Sequence, residues 1–584
     1  MAVAPTEPDP LFVPLHPLRD YAFLADGERG ALVGPDGAIP WLCVPGWDSD
    51  AVFSSIIGGG GSYAVTPRAE RFTWGGYYEP GTLIWRSRWI TETSVTESRD
   101  ALAFPGHRDH AVVIRRIEAQ RGDAHVRVTL DPRSSFAEGR LTGVHHDGEV
   151  WTAHAGDLQI RISGLGHPER VDGALIWSVD VDEGGHRDVV LELSRRSLPA
   201  RVPDAEQLWQ QTESAWAEAV PREIDGIARR DATHAYAVLR GLTSSTGAMV
   251  AAATMSLPER ADQGRNYDYR YAWIRDQCYA GQAAGAGRPL PLLDDAVRFV
   301  GERLLADGPD LKPAYTTSGG RVPDEYHLGL PGYPGGNDVV GNHANAQFQL
   351  DALGESLLLF ATAARHDRLD RDGWRAAEAA AAAIQQRRGD KDAGIWELQP
   401  AHWTHSTLIC VAGLRQMAQY APRTTATRWT DLASSMLDHA TQTQLAPEGH
   451  WRRAADDPRL DASLLLPAIR GALTVDDPRS VATREAVLAD LGREEFMYRF
   501  HPDGRALGEA EGAFLLCGFI TSLALHQAGD PVAAGRWFER NRSSCGTPGI
   551  LSEEYDVQQR QLRGNLPQAF VHAMLLETAI RLEQ

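Results

Sequence analysis

Cysteine is scarce. The chain of 584 residues has five, Cys43, Cys278, Cys410, Cys517 and Cys545, widely scattered and odd in number. No C-x-x-C pair or Cys/His cluster accompanies them, which excludes a zinc framework and a disulfide scaffold and predicts buried thiols in a reducing compartment. Long apolar runs are missing too. The longest, such as Leu515 to Ile520, are too short to span a bilayer. The opening MAVAPTEPDPLFVPLHP has no basic start and no apolar core, so no signal peptide is expected and the cytoplasm is the expected location. Positive charge is in deficit: 58 basic against 78 acidic residues give a net charge of −20. That excludes nucleic acid and anionic membrane as partners, says nothing against a neutral sugar, and leaves a homo-oligomer open. The glycine run at 58–62 is not followed by a lysine and a helix, so it is a turn and not a phosphate loop. No H-E-x-x-H, EF-hand or G-x-S-x-G pattern occurs. Nothing calls for a cofactor or a metal.

What is present divides the chain in two, as its length predicts. Residues 1–203 read as β-rich. Turn clusters at 34–40, 58–62 and 145–149 punctuate alternating runs at 82–97, 110–119, 125–132, 173–181 and 186–195, the pattern of a sandwich. Residues 204–228 read as a link, with a helix over 204–220 carrying Leu208, Trp209, Trp216 and Val220 on one side. Residues 229–584 read as helical, with helices predicted at 231–243, 288–305, 345–365, 371–388, 404–420, 427–443, 481–491, 511–527, 531–540 and 567–583. Helices alternating with long loops fit an (α/α)6 barrel with a site at one end. Periodicity alone does not separate that from a solenoid of helix pairs.

The richest stretch is RNYDYRYAWIRDQC at 265–278, which gathers three arginines and four aromatic rings. Ring faces stack on the C–H side of a pyranose, and Arg or Asp forks fix its hydroxyls. The alternative is a buried salt-bridge network at a helix junction. Acetal hydrolysis needs two carboxyls, one to protonate the leaving oxygen and one to attack or to deprotonate water. Two contexts stand out. In GIWELQPAHWTHS (394–406) Glu397 follows Trp396, and an indole partly desolvates a neighbouring carboxyl and favours the protonated form that a proton donor needs. In GILSEEYDVQQRQLRGNLPQAFVHA (549–573) Glu553 and Glu554 lie in a loop before a helix. A capping Glu and an acidic loop tip are the alternatives.

These segments resemble glycoside hydrolase family 15, the glucoamylases and bacterial trehalases, whose pattern R-N-[WY]-D-Y-R-Y-x-W-[LIT]-R-D is matched from Arg265 to Asp276. The resemblance extends to an N-terminal sandwich (18–53) and to TGAMVAAATMSLPE (246–259) at the start of the barrel. It implies an α+β multidomain chain: an N-terminal β-sandwich followed by an (α/α)6 barrel. It implies an inverting, exo-acting α-glycoside hydrolase with a small oligosaccharide as substrate, Glu397 as general acid and Glu553 as base. It places Arg275, Asp276 and Arg499 on sugar hydroxyls and Tyr269, Trp273 and Trp396 as walls, with Trp47 and Tyr333 at the rim. Glu511 would orient loops or bind substrate, while Gln568 and His572 pack the last helix. The chain departs from the pattern at Gln399, Trp403 and Thr407, where an Arg, a Phe and a basic residue are usual. Its 331–342 loop is one residue short and lacks the family's arginine. A hydrolase or transglycosylase for another α-linked sugar, or an inactive sugar-binding relative, is the alternative.

Overall fold

The alternation of buried and outward residues along Trp85–Ile90 is the pattern of a strand with one face on a core. The computed structural model describes residues 11–262, 264–502 and 505–584, so the first ten residues of the opening segment read above lie outside the described residues. The chain forms two units, Met1–Val220 with Gly329–Asp338 and Gly546–Ile550, and Pro221–Leu328 with Val339–Cys545 and Leu551–Gln584.

In the first unit an eight-stranded antiparallel sheet runs in the spatial order Leu141–Asp147, Val150–Ala155, Leu158–Ser163, His186–Ser194, His110–Arg121, Val95–Leu102, Trp85–Ile90, Thr73–Tyr78. A five-stranded sheet contains Glu169–Val171, Ala174–Val181, Ala124–Asp131, Ser62–Pro67 and Ala38–Ile39. One apolar core takes side chains from both sheets, among them Val113, Ile117, Leu191, Val126, Val128 and Trp177, which makes this a sandwich. The run at 82–97 is not one strand. It turns at 91–94, where the Thr91 hydroxyl accepts the Ser94 N–H at 3.0 Å, and returns as the next strand. Helix α1, Ala205–Ala219, belongs to this unit. Asp204 caps it by accepting the Gln207 N–H, and Trp209 and Trp216 are buried.

The second unit is built from helices in pairs. Among the described residues they are α2 (Arg229–Leu242), α3 (Ile274–Ala284), α4 (Leu292–Asp307), α5 (Leu350–Arg365), α6 (Arg371–Arg387), α7 (Thr404–Ala418), α8 (Arg423–Gln444), α9 (Leu466–Ile469), α10 (Pro478–Leu491), α11 (Leu515–Gln527), α12 (Pro531–Arg542) and α13 (Ala569–Arg581). The odd-numbered helices α3 to α13 pack on one another in a closed ring, α3 on α5, α5 on α7, α7 on α9, α9 on α11, α11 on α13 and α13 on α3. Of the even-numbered helices α2 packs on α13, α4 on α3, α6 on α5, α8 on α7 and α12 on α11, while α10 packs on the turn Ala462–Leu465 that leads into α9. That closure is an (α/α)6 barrel and rules out the solenoid.

The inner helices approach closely. A Cβ on Gly354 of α5 would come within 2.7 Å of the α7 backbone at Ile409 and Cys410, and one on Gly413 would come within 2.4 Å of the Gly354 carbonyl. Helix α3 escapes the periodicity reading. All eleven of its residues, IRDQCYAGQAA, are buried, so no polar face marks it as amphipathic. The outer α6 is the opposite case, alanine-rich and capped by Asp370 on the Gly373 N–H at 2.8 Å.

Candidate active site

Every segment singled out for chemistry ends where an inner helix begins. The inner helices α3, α5, α7, α11 and α13 have no side-chain cap. Main-chain carbonyls of neighbouring loops serve instead: Ile274 N–H donates to Pro313 at 2.9 Å, Thr404 N–H to Arg453 at 3.1 Å, Leu515 N–H to Glu553 at 3.1 Å and Ala569 N–H to Ala251 at 2.8 Å. The loops are thereby stitched to the positive ends of the inner helices, an environment that favours carboxylates.

Between them lies a cavity of about 710 Å3, counted out to its open mouth. Its lining includes Glu397, Glu553, Tyr269, Arg275, Trp396 and Arg499, so six of the ten expected site residues meet there. Trp273 stands directly behind, 3% exposed. Its indole N–H donates to Glu397 Oε1 at 2.7 Å, and the Arg275 guanidinium approaches the same oxygen at 3.3 Å. Both contacts fall on Oε1. Glu397 has a left-handed backbone, φ +56°, unusual for a residue with a side chain. The turn that imposes it is fixed by its neighbours. Gly394, at φ +67°, lies against the Trp403 ring, where a Cβ would come within 2.7 Å. The Trp403 indole donates to the Asp392 carbonyl at 2.9 Å. Asp392 Oδ1 accepts the Gly394 N–H at 2.8 Å and the Ser406 hydroxyl at 2.9 Å.

Burial, with Asp351 adding to it, pushes the Asp392 carboxyl from its ordinary 3.8 up to about 8. The folded chain keeps a proton there that the unfolded chain gives up near pH 4. This contribution to stability is therefore full below pH about 4 and lost as the pH rises to about 8. Asp392→Asn fixes the neutral form, so its melting temperature is expected to gain on the wild type steadily between those limits. A difference that stays constant across that range in calorimetry would show that the folded chain does not keep this proton.

Glu553 sits on the segment before α13. Leu551 is pinned to that helix twice, by its N–H on His572 Nε2 at 3.1 Å and its carbonyl on the Gln568 N–H at 2.9 Å. Burial pushes the His572 imidazole down to about 3, so it stays neutral and accepts. The Tyr269 hydroxyl donates to Glu553 Oε2 at 3.1 Å. The Tyr269 ring meets Trp273 edge-on, centroids 5.6 Å apart, so a phenol and an indole connect Glu553 to Glu397. Burial first, and then the negative Glu259, push the Glu553 carboxyl well above the usual range against the pull of Arg499. Arg499 Nη2 and Nε meet Glu511 at 2.5 and 3.2 Å, and Nη2 lies 3.6 Å from Glu554 and 4.0 Å from Glu259. The Trp396 indole donates to Asp461 at 2.9 Å, which fixes its ring beside the cavity.

Asp276 is buried and off the lining, near enough to Glu397 and Glu553 to interact with both charges, and burial pushes its carboxyl up to about 7. Trp47 is 1% exposed inside the first unit, with its indole N–H on the Gly27 carbonyl. Tyr333 also belongs to the first unit, its hydroxyl on the His16 carbonyl at 2.9 Å. Both polar groups are occupied within the first unit. The lining also holds residues that the sequence reading left out: Glu259, Arg265, Tyr267, Asn342 and Phe500. Arg265 and Tyr267 stood in the quoted motif. Glu259 had no signal beyond closing the segment at 246–259.

Comparison with known proteins agrees with this architecture. Residues 15–216 match the family described as "Trehalase-like, N-terminal", and residues 233–580 match "Glycosyl hydrolases family 15". A trehalase of Mycobacterium tuberculosis is 30% identical over 98% of this chain and 90% of its own. A trehalase of Mycolicibacterium smegmatis is 28% identical over 97% and 91%. A crystal structure of bacterial glucoamylase complexed with acarbose shares the fold at a TM-score of 0.70 and 14% identity, over 98% of this chain and 96% of that one. With a sandwich, a closed double ring of helices and paired carboxyls in one cavity, the chain belongs to the glycosyl hydrolases of family 15.

Proposed function

We propose that the cavity hydrolyses a small α-glucoside from its non-reducing end with inversion, Glu397 acting as general acid and Glu553 as base. The observation that carries this is the placement of both carboxyls on one cavity, held apart by Trp273 and Tyr269. Two intervening rings leave room for a water between Glu553 and the anomeric carbon, as inversion needs; retention needs the carboxyls closer together. Glu553 takes a proton from that water, whose oxygen bonds to the anomeric carbon. The glycosidic electrons leave on the bridging oxygen, which takes the proton of Glu397. Arg275 and Arg499 hold hydroxyls, and Tyr269 and Trp396 wall the ring. Asp276, buried close to both carboxyls, holds a hydroxyl of the same sugar. The full-length likeness to proteins named trehalases supports a disaccharide, trehalose first. Gln399 and the short 331–342 loop favour a second reading, another α-linked disaccharide.

Both readings are tested by kcat/KM on trehalose, isomaltose, maltose, kojibiose, nigerose and soluble starch, with the released anomer followed by NMR. The preferred disaccharide is expected to exceed starch by about tenfold or more, some 1.4 kcal/mol of transition-state discrimination. Inversion of trehalose yields equal α- and β-glucose at first, whereas retention yields α only. An all-α product, or starch as the better substrate, overturns the proposal.

A further inference from the structure

Glu259 is the one carboxyl on the cavity lining that the two-carboxyl mechanism does not use. It is 4% exposed and sits beside Glu553. The Tyr269 hydroxyl lies 3.1 Å from Glu553 Oε2 and 3.4 Å from Glu259 Oε1, so one hydroxyl faces both carboxyls. Gly564 touches both from one side, since a Cβ there would lie 3.6 Å from Glu259 Cγ and 3.7 Å from Glu553 Cβ. The backbone locks the pair together. Gly564 N–H donates to the Pro258 carbonyl at 2.9 Å, and Glu259 N–H donates to the Arg265 carbonyl at 3.2 Å. The two carboxyls come within hydrogen-bonding reach of each other.

We propose that Glu259 is a positioning residue that acts through Glu553: by sharing the Tyr269 hydroxyl it aims the Glu553 carboxyl, and its charge makes that carboxyl a stronger base toward water. The proposal rests on the reading of Glu553 as the base. The charges around the pair decide which member ionises first. Arg499 and Arg265 face Glu259, with Glu511 opposing them. Glu553 is faced by Glu259 and Tyr269 from the segment before α3, by Asp276 of α3 and by Arg499 from the loop before α11, with Glu554 next in the chain. The first negative charge settles on Glu259, between two guanidiniums, and the second forms on Glu553 against it. A base with a carboxylate beside it holds its proton more tightly than an isolated one, which brings its proton affinity toward the working pH. When the water O–H breaks, the proton rests on Glu553, between the two carboxyls, until product leaves. The pair titrates as a unit.

The test is the pH profile of kcat/KM for the full chain on its best disaccharide. In Glu259→Gln the acid limb is expected to move to lower pH by about one unit, with kcat on the plateau falling about tenfold and KM within about threefold. A merely structural role would leave the limb in place, and an unmoved limb overturns the proposal. Glu553→Gln separates this from the parent reading. If that variant keeps near wild-type turnover, the base assignment fails. If it is inactive while the Glu259→Gln limb is unmoved, only the present inference fails. Should Glu259→Gln not fold, carbon-13 NMR of δ-labelled glutamate in wild type and Glu553→Gln decides. Glu259 is expected to titrate as part of a two-step pair in the first and as a single step in the second, and identical titrations overturn the coupling.

Discussion

Glu397→Gln and Glu553→Gln are each expected to lower kcat by roughly a thousandfold, within the 10²–10⁴-fold span of general acid–base steps. The amide keeps the size and the acceptor oxygen of the acid. At position 397 it still accepts from the Trp273 indole, and at position 553 from the Tyr269 hydroxyl. It has no proton to give at the first position and no lone pair basic enough to take one from water at the second. Fold and substrate affinity are therefore expected to survive, with a melting temperature at position 553 equal to the wild type or higher. A neutral group suits a site where burial and Glu259 already oppose the charge. The two roles separate on α-glucosyl fluoride, whose leaving group needs no protonation. Glu397→Gln should regain most of its activity on the fluoride and Glu553→Gln should not. A variant at either position that turns over the disaccharide near the wild-type rate would remove that residue from the mechanism.

The sequence carries the site where chemistry is local and loses it where packing decides. Glu397 stood out because Trp396 is next to it in the chain, and Glu553 through the family pattern around it. The strand alternation of the sandwich and the alanine-rich α6 were legible because half-buried elements write their period into the sequence. Helix α3 was not, because burial on all sides erases the period. Glu259 was not, because what distinguishes it is a tyrosine ten residues on and a glutamate nearly three hundred residues on. The polar atoms of Trp47 and Tyr333 are spent on backbone carbonyls within the first unit, partners that no local sequence pattern announces. Asp276 adjoins a lining residue in sequence and is buried next to the charges of Glu397 and Glu553.

Arg499→Met is expected to cost about 3–5 kcal/mol of stability at neutral pH, together with at least a hundredfold of kcat/KM. The guanidinium is 8% exposed and stands among Glu511, Glu554 and Glu259, with its carbon centre 4.6 Å from the Phe514 ring and 5.4 Å from Trp396. Methionine fills much of the volume and keeps the ring contacts, so the loss reports the charge and its hydrogen bonds. Without the fork, three buried carboxyls have only Arg265 close by, on Glu511. They respond by taking up protons. This gives the prediction a sign in pH. The deficit against wild type in urea unfolding should be largest near pH 8 and should shrink toward pH 5, where protonation of the freed carboxyls removes the unpaired charge. Arg499→Lys restores the charge without the two-pronged geometry, and should recover part of the stability and less of the activity. If Arg499→Met unfolds like the wild type at pH 8, these carboxyls are already neutral in the folded protein, and the arginine's place in the cavity is then to hold sugar hydroxyls rather than to permit the charges of the base.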